Sequence, residues 1–206
     1  IIYQDIVASL YGRNNILDLI KDTAKDVFIP MTIGGGIRSI KDARAALRAG
    51  GDKISINTAV TKTPNLIKEL SQTFGSQCVV VTIETIRDNN GVYRVFTDNG
   101  RESSNLEVVD WAKKVEELGA GEIQITSVDR EGTFKGFDIN LIRNVTDHVL
   151  IPVIAHGGAG SPADVVLAIR EGNADAVAIA GILHYERFTI KDVKQALVDA
   201  GYQVRL

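Results

Sequence analysis

Ile29-Pro30-Met31-Thr32-Ile33-Gly34-Gly35-Gly36-Ile37 is a short apolar run that ends in three glycines and passes into a helix-like pattern, Ile40 to Leu47. It reads as a buried strand whose C-terminal end brings bare backbone close to another group. Glycine lets N–H groups approach an anion with no Cβ in the way, and the next helix adds its positive N-terminal end. The plan returns 122 residues later in Ile151-Pro152-Val153-Ile154-Ala155-His156-Gly157-Gly158-Ala159-Gly160. Beyond the glycines, Asp42 answers to Asp164, Arg48 to Arg170, Gly50 to Gly172, and Asp52-Lys53-Ile54-Ser55-Ile56 to Asp175-Ala176-Val177-Ala178-Ile179. Ile2-Tyr3-Gln4-Asp5 and Ile123-Gln124-Ile125-Thr126 form a second pair, 121 residues apart. Two halves share one design, so the repeat organises every other reading.

Working outward, strand and helix patterns alternate along the chain. Strands are expected at Ile1 to Val7, Phe28 to Ile33, Lys53 to Asn57, Cys78 to Ile83, Glu122 to Val128, Ile151 to Ala155 and Ala174 to Ala180. Helices are expected at Ile16 to Val27, Lys41 to Ala49, Pro64 to Thr73, Val108 to Leu118, Asn140 to Val145, Ala163 to Glu171 and Lys191 to Ala200. Each strand is nearly continuous in apolar residues, as a parallel strand covered on both faces must be. The strand at Cys78 precedes that at Ile123 by about 45 residues, and its counterpart in the first half would lie as far before Ile2. The arithmetic predicts an α/β protein, a (β/α)8 TIM barrel with a two-fold half-barrel repeat, in which residues 1–206 form a single domain lacking the first βα unit. The long connection Thr85 to Asn105 is polar and contains a short alternating piece, Val92 to Thr97, which predicts a small hairpin over the barrel mouth.

Composition narrows the partners. A net charge of −3 supplies no basic footprint for nucleic acid, and no apolar run approaches the length of a membrane span. The partner should be a small molecule or a protein. The lone Cys78 cannot form an internal disulfide and suits a cytoplasmic protein. His148, His156 and His184 are too scattered to predict a metal site, and no cofactor motif is present.

In this architecture the chemistry lies where the strands end. The upper rim offers Asp5, Gly34 to Gly36, Asn57-Thr58, Glu84, Thr126 to Asp129, His156 to Gly158 and Ala180-Gly181. Two glycine sites related by the repeat suit an elongated substrate with a phosphate at each end, its middle held over Asp5, Glu84, Thr126 and Asp129 as acid–base candidates. Gly35, Gly36, Gly157 and Gly158 are the anion-binding glycines on this reading. His156 stands where the repeat puts a glycine, Gly34, and it can donate a hydrogen bond to a substrate anion or act as a base. At the lower rim, Asp52, Lys53 and Glu122 open otherwise apolar strands. They form either a stabilising ion-pair ring or a gate on the barrel axis.

Thr32-Ile33-Gly34-Gly35-Gly36-Ile37-Arg38, Asp52-Lys53-Ile54-Ser55-Ile56-Asn57-Thr58-Ala59, Phe74-Gly75-Ser76-Gln77, Thr126-Ser127-Val128-Asp129-Arg130 and Gly157-Gly158-Ala159-Gly160 together resemble the cyclase subunit of imidazole glycerol phosphate synthase, across essentially the whole chain. The resemblance implies a heterodimer with a glutaminase, whose ammonia crosses the barrel to meet a phosphoribosyl-formimino ribonucleotide. The products would be imidazole glycerol phosphate, an intermediate of histidine biosynthesis, and an aminoimidazole carboxamide ribotide. It places phosphate contacts at Gly36, Asn57 and Thr58 in one half and at Gly132, Gly158, Ala180 and Gly181 in the other. Lys53 and Glu122 match gate residues, and Asp52 matches a residue facing the glutaminase. The sequence also departs from the family. One of its two catalytic aspartates falls at Glu84, the other upstream of Ile1, and two serines are replaced by His156 and Gly181. These departures resemble paralogues that deliver ammonia for sugar amidation in surface-polysaccharide assembly, with little or no cyclase activity, or that serve only as an ammonia conduit. A phosphosugar isomerase on the same two-fold barrel is a more distant alternative.

Overall fold

The computed structural model describes residues 1–5 and 16–205; Ile6 and Val7 of the first expected strand lie outside that set. Among the described residues one sheet holds nine strands: β1 Ile2–Gln4, β2 Thr32–Gly34, β3 Lys53–Ile56, β4 Val79–Arg87, β5 Tyr93–Thr97, β6 Glu102–Glu107, β7 Glu122–Ser127, β8 Val153–His156 and β9 Ala176–Ala178. Seven of them run parallel in the order β1-β2-β3-β4-β7-β8-β9, which is the wall of an α/β TIM barrel. Among the described residues β1 and β9 are the two ends of this path and do not pair with each other. The remaining two, β5 and β6, form the expected hairpin, antiparallel to the upper part of β4.

The helices are α1 Ile16–Thr23, α2 Ile40–Arg48, α3 Thr58–Lys62, α4 Asn65–Phe74, α5 Val108–Glu117, α6 Ile139–Thr146, α7 Pro162–Arg170, α8 Gly181–His184 and α9 Ile190–Asp199. Their apolar stripes cover the outside of the sheet: α4 buries Leu66, Ile67 and Leu70, and α6 buries Leu141, Ile142 and Val145. The outward strand residues Ile54, Val79, Val81, Ile83, Ile123 and Ile125 are fully buried beneath them. Each such side chain contributes about 1.5–3 kcal/mol of transfer free energy. Among the described residues no helix is long and apolar enough to cross a membrane.

The repeat is fastened by matching polar clamps. Asp52 accepts the amide of Met31 at 2.8 Å, and Asp175 accepts that of Val153 at 2.8 Å. Asp42 accepts the Arg38 amide and the Ser39 hydroxyl, while Asp164 accepts the Gly160 and Ser161 amides and the Ser161 hydroxyl. These bonds satisfy otherwise orphaned groups at strand and helix starts.

Several expected strands are shorter than the apolar pattern: Ala174 to Ala180 shrinks to Ala176–Ala178, and two others are cut at a proline. Phe28 to Ile33 shrinks to Thr32–Gly34 and Ile151 to Ala155 begins at Val153, because Pro30 and Pro152 have no N–H to give a ladder. Phe28 is left 91% exposed and Leu150 98% exposed, on the side where the strands begin.

Candidate active site at the barrel mouth

Parallel strands in register point paired residues to the same side, so the barrel interior can be read from the pairing. Lys53, Ser55 and Asn57 of the third stave, Val80, Thr82 and Glu84 of the fourth, and Glu122, Gln124 and Thr126 of the fifth face inward. Ile154 and His156 follow on the next stave. A barrel of this kind is normally filled by branched apolar side chains. Here Ser55, Thr82, Gln124 and Thr126 are buried, and the Ser55 and Thr82 hydroxyls bond each other at 2.6 Å. The Oε1 of Gln124 is buried without a hydrogen-bond partner. A polar file therefore runs from the strand starts to the strand ends.

At the lower end of this file Lys53 and Glu122 form an ion pair, as the floor reading expects, with both side chains largely covered. Asp52 stays exposed while tied to the Met31 amide.

At the upper end lies a cleft of about 1050 Å³ that brings together Asp5, Gly35, Gly36, Asn57, Thr58 and Glu84 from the sequence reading. It also takes in Arg38, Lys41 and Lys62, cations suited to an anionic ligand, and Asp98 and Asn99 from the hairpin turn. Gly35 needs its glycine: φ is +95°, and a Cβ would sit 2.3 Å from the Asp5 carbonyl oxygen. Asp5 in turn donates its amide to the Gly34 carbonyl at 3.0 Å. The Oδ1 of Asn57 is buried without a partner and lies in the lining of the cleft, a ready acceptor for a ligand N–H or O–H.

Glu84 ends the inward row of the fourth stave. Burial pushes its carboxyl above the ordinary range, against hydrogen bonds from the Gly100 and Asn99 amides and the Asn57 side chain that pull it down, with Glu131 adding to the rise. The Gly100 amide lies 3.0 Å from Oε2. Asp98 and Asn99 have φ of 51° and 59°, and their turn touches the Thr58 hydroxyl through the Asp98 amide. The hairpin is thus tied to the cleft at two points. Sequence reading placed the hairpin over the mouth but did not single out Asp98 and Asn99, although the Asp-Asn-Gly run is a strong turn signal.

Gly132, His156, Gly157, Gly158, Ala180 and Gly181 are gathered elsewhere, at the ends of β7, β8 and β9, and are absent from the lining of the cleft. Gly157 repeats the logic of Gly35, since its Cβ would lie 2.8 Å from the Ser127 carbonyl oxygen. Gly158 and Gly160 face the loop that follows β7: Cβ atoms there would come within 2.4 Å of the Gly136 oxygen and 2.1 Å of the Phe134 oxygen. A second backbone closes over these two glycines, and the Gly160 amide is taken by the Asp164 carboxylate. Gly132, by contrast, has open space where a Cβ would go. At Gly181 a Cβ would lie 2.9 Å from Phe134 Cε1, and the Arg187 guanidinium stacks 4.0 Å over the Phe134 ring. Neither Phe134 nor Arg187 carried a motif that sequence reading could have flagged.

Two further candidates sit between the halves. Thr126 is buried and shares a 3.2 Å hydrogen bond with His156 Nδ1. Asp129 accepts the Arg87 amide at 2.9 Å, which joins the loop after β7 to the base of the hairpin.

Comparison with known proteins agrees with this geometry. The profile of the family described as histidine biosynthesis protein matches residues 1–189. The imidazole glycerol phosphate synthase subunit HisF of Methanocaldococcus jannaschii is 46% identical over all of this chain and 83% of its own length. That of Methanopyrus kandleri is 47% identical over all of this chain and 82% of its own, and that of Legionella pneumophila is 58% identical over 78% of this chain and 76% of its own. The chain belongs to the histidine biosynthesis protein family, as a cyclase subunit of the imidazole glycerol phosphate synthase HisF type.

Proposed function

We propose that this protein closes an imidazole ring at the barrel mouth, using ammonia that a glutaminase partner releases at the barrel floor. The substrate is a phosphoribosyl-formimino ribonucleotide, one phosphate of which lies against Gly36, Asn57 and Thr58. The observation that carries the reading is the polar file from the Lys53–Glu122 pair to the cleft. An apolar interior would hold no small polar molecule, whereas hydroxyls, a carboxamide and a floor ion pair give one a series of partners. Phe28, Ile29 and Leu150 are exposed apolar residues on the side where the strands begin, which also carries exposed Asp52, and they suit a protein-binding surface. The setting is the cytoplasm.

Glu84 and Asp5 stand closest to the reacting centre, with Thr126 on the stave next to Glu84 and Asp129 bonded to the end of the Glu84 strand. The second phosphate lies toward Gly132, Gly157, Gly158, Ala180 and Gly181. It is held less tightly there, because Gly181 offers no hydroxyl and the Gly158 backbone is already covered by Gly136.

One observation favours a second reading, in which the protein passes ammonia to a partner that amidates a sugar: the Glu84 carboxylate already accepts the hairpin amides. Supplying ammonium directly separates the two. The cyclase reading expects imidazole product from ammonium and substrate without any glutaminase, and rescue of a histidine auxotroph lacking its own cyclase. Absence of both outcomes would leave the amidation reading standing. Replacing Lys53 with Met should then lower glutamine-driven turnover while sparing ammonium-driven turnover; equal loss in both assays would remove the floor from the ammonia path.

A further inference from the structure

Glu84, Thr126 and His156 are successive partners across three neighbouring staves: Glu84 pairs with Thr126, and Thr126 with His156. All three side chains therefore point inward from one level of the rim, with the outer two roughly 10 Å apart across two strand spacings. Thr126 is buried between them and holds the imidazole through Nδ1. If Nδ1–H donates to Thr126, the lone pair remains on Nε2, directed away from the bond that fixes the ring.

Among the described residues the charged surroundings are few. Glu131, on the loop after β7, acts on both the imidazole and the Glu84 carboxyl. On the far side of His156 the paired residue is Ala178 of β9, which brings no charge. Burial outweighs Glu131 and keeps the imidazole neutral to lower pH than usual, while burial of Glu84 keeps its carboxyl protonated to higher pH than usual. Opposite displacements of two groups at one level are how a site comes to hold a base and an acid together.

We propose that His156 is an acid–base residue of this site, working across Thr126 from Glu84. His156 Nε2 takes one proton from the reacting substrate, the Glu84 carboxyl gives one, and the two revert by exchange with solvent, so that no proton is gained or lost over a cycle. The assignment rests on the ring-closing activity proposed above and adds a residue and a role to it.

The test measures kcat and KM with saturating ammonium for the unsubstituted protein, His156→Gln and His156→Ala, between about pH 5 and 8, with circular dichroism as the control for folding. The expected result is a fall in kcat of about 100-fold or more in both variants, KM within about two-fold, and loss of the acidic limb of the pH profile. In parallel, 15N NMR of the imidazole should show a neutral ring protonated at Nδ1 near neutral pH. Unchanged kcat, a change confined to KM, or a ring protonated at Nε2 or at both nitrogens would each overturn the assignment. Failure of the unsubstituted protein to turn over with ammonium sinks the ring-closing activity itself, and this role with it. Turnover with an unaffected His156→Gln sinks only the role.

Discussion

The Glu84 side chain accepts the Gly100 amide at 3.0 Å and so ties the end of the fourth stave to the turn of the hairpin. A hydrogen bond to a carboxyl oxygen contributes about 0.5–1.5 kcal/mol when neutral, and more when ionised, to whatever opening it opposes. Glu84→Ala should accelerate hydrogen exchange at the Gly100 amide by roughly ten-fold or more, with little change at the strand amides below. Glu84→Asp, one methylene shorter, should fall between the two. Exchange at Gly100 indifferent to all three side chains would show that the turn is held by Thr58 and its own backbone.

Stability should depend on pH through the same carboxyl and through His156, in opposite directions. Because the folded chain keeps the Glu84 proton above the ordinary value of 4.5, it binds more protons than the unfolded chain just above that pH, and stability falls as pH rises through the window. His156 loses its proton earlier in the folded chain than at the ordinary value of 6.5, so the unfolded chain binds more protons below that pH and stability falls as pH drops. Urea midpoints from about pH 4 to 8 should lose the first slope in Glu84→Gln and the second in His156→Gln.

The glycines sort into two kinds that a substitution series can tell apart. Gly35→Ala and Gly158→Ala each push a Cβ into a backbone oxygen and force a left-handed residue, and each should destabilise by several kcal/mol. Gly132 has φ of +72° but open space around it, so Gly132→Ala should cost only about 1 kcal/mol. Thermal midpoints of the three variants check the order. Similar losses in all three would mean that backbone conformation, not contact, sets the requirement.

Restoring a hydroxyl at position 181 should not strengthen anion binding by itself. A Cβ there meets the Phe134 ring at 2.9 Å, so Gly181→Ser must displace the ring and the Arg187 guanidinium stacked on it. Combining Gly181→Ser with Phe134→Ala should bind phosphate several-fold more tightly than either single change, a non-additivity that calorimetry can read. Additive effects would place Phe134 apart from the second anion site.

The barrel was legible because its signal is carried by repetition: Asp42 and Asp164, or Asp52 and Asp175, recur at one spacing and make the same bonds. The hairpin was half legible. β5 alternates, whereas β6, Glu-Ser-Ser-Asn-Leu-Glu, has one apolar residue and is recognised only by its pairing. In the first-half cleft Asp5, Gly35, Gly36, Asn57, Thr58 and Glu84 followed from strand ends, whereas Arg38, Lys41, Lys62, Asp98 and Asn99 did not. The crowding of the second half did not, because it depends on where the loop carrying Phe134 and Gly136 folds back, a tertiary choice with no local pattern. Phe28 and Ile29 misled for the opposite reason, since an apolar residue beside a strand reads as buried until the proline that follows is given its weight.

Ser55, Thr82 and Gln124 occupy the axis where an inert barrel would carry valine, isoleucine and leucine. Gln124 leaves an acceptor unsatisfied there, a standing loss of about 1–3 kcal/mol. Anyone hardening this scaffold against heat would find these three positions first, because filling them with hydrocarbon raises the melting temperature by every ordinary rule. On the proposed ammonia path the hardened barrel would also be plugged, so a screen on thermal tolerance alone would select, at these sites, against throughput.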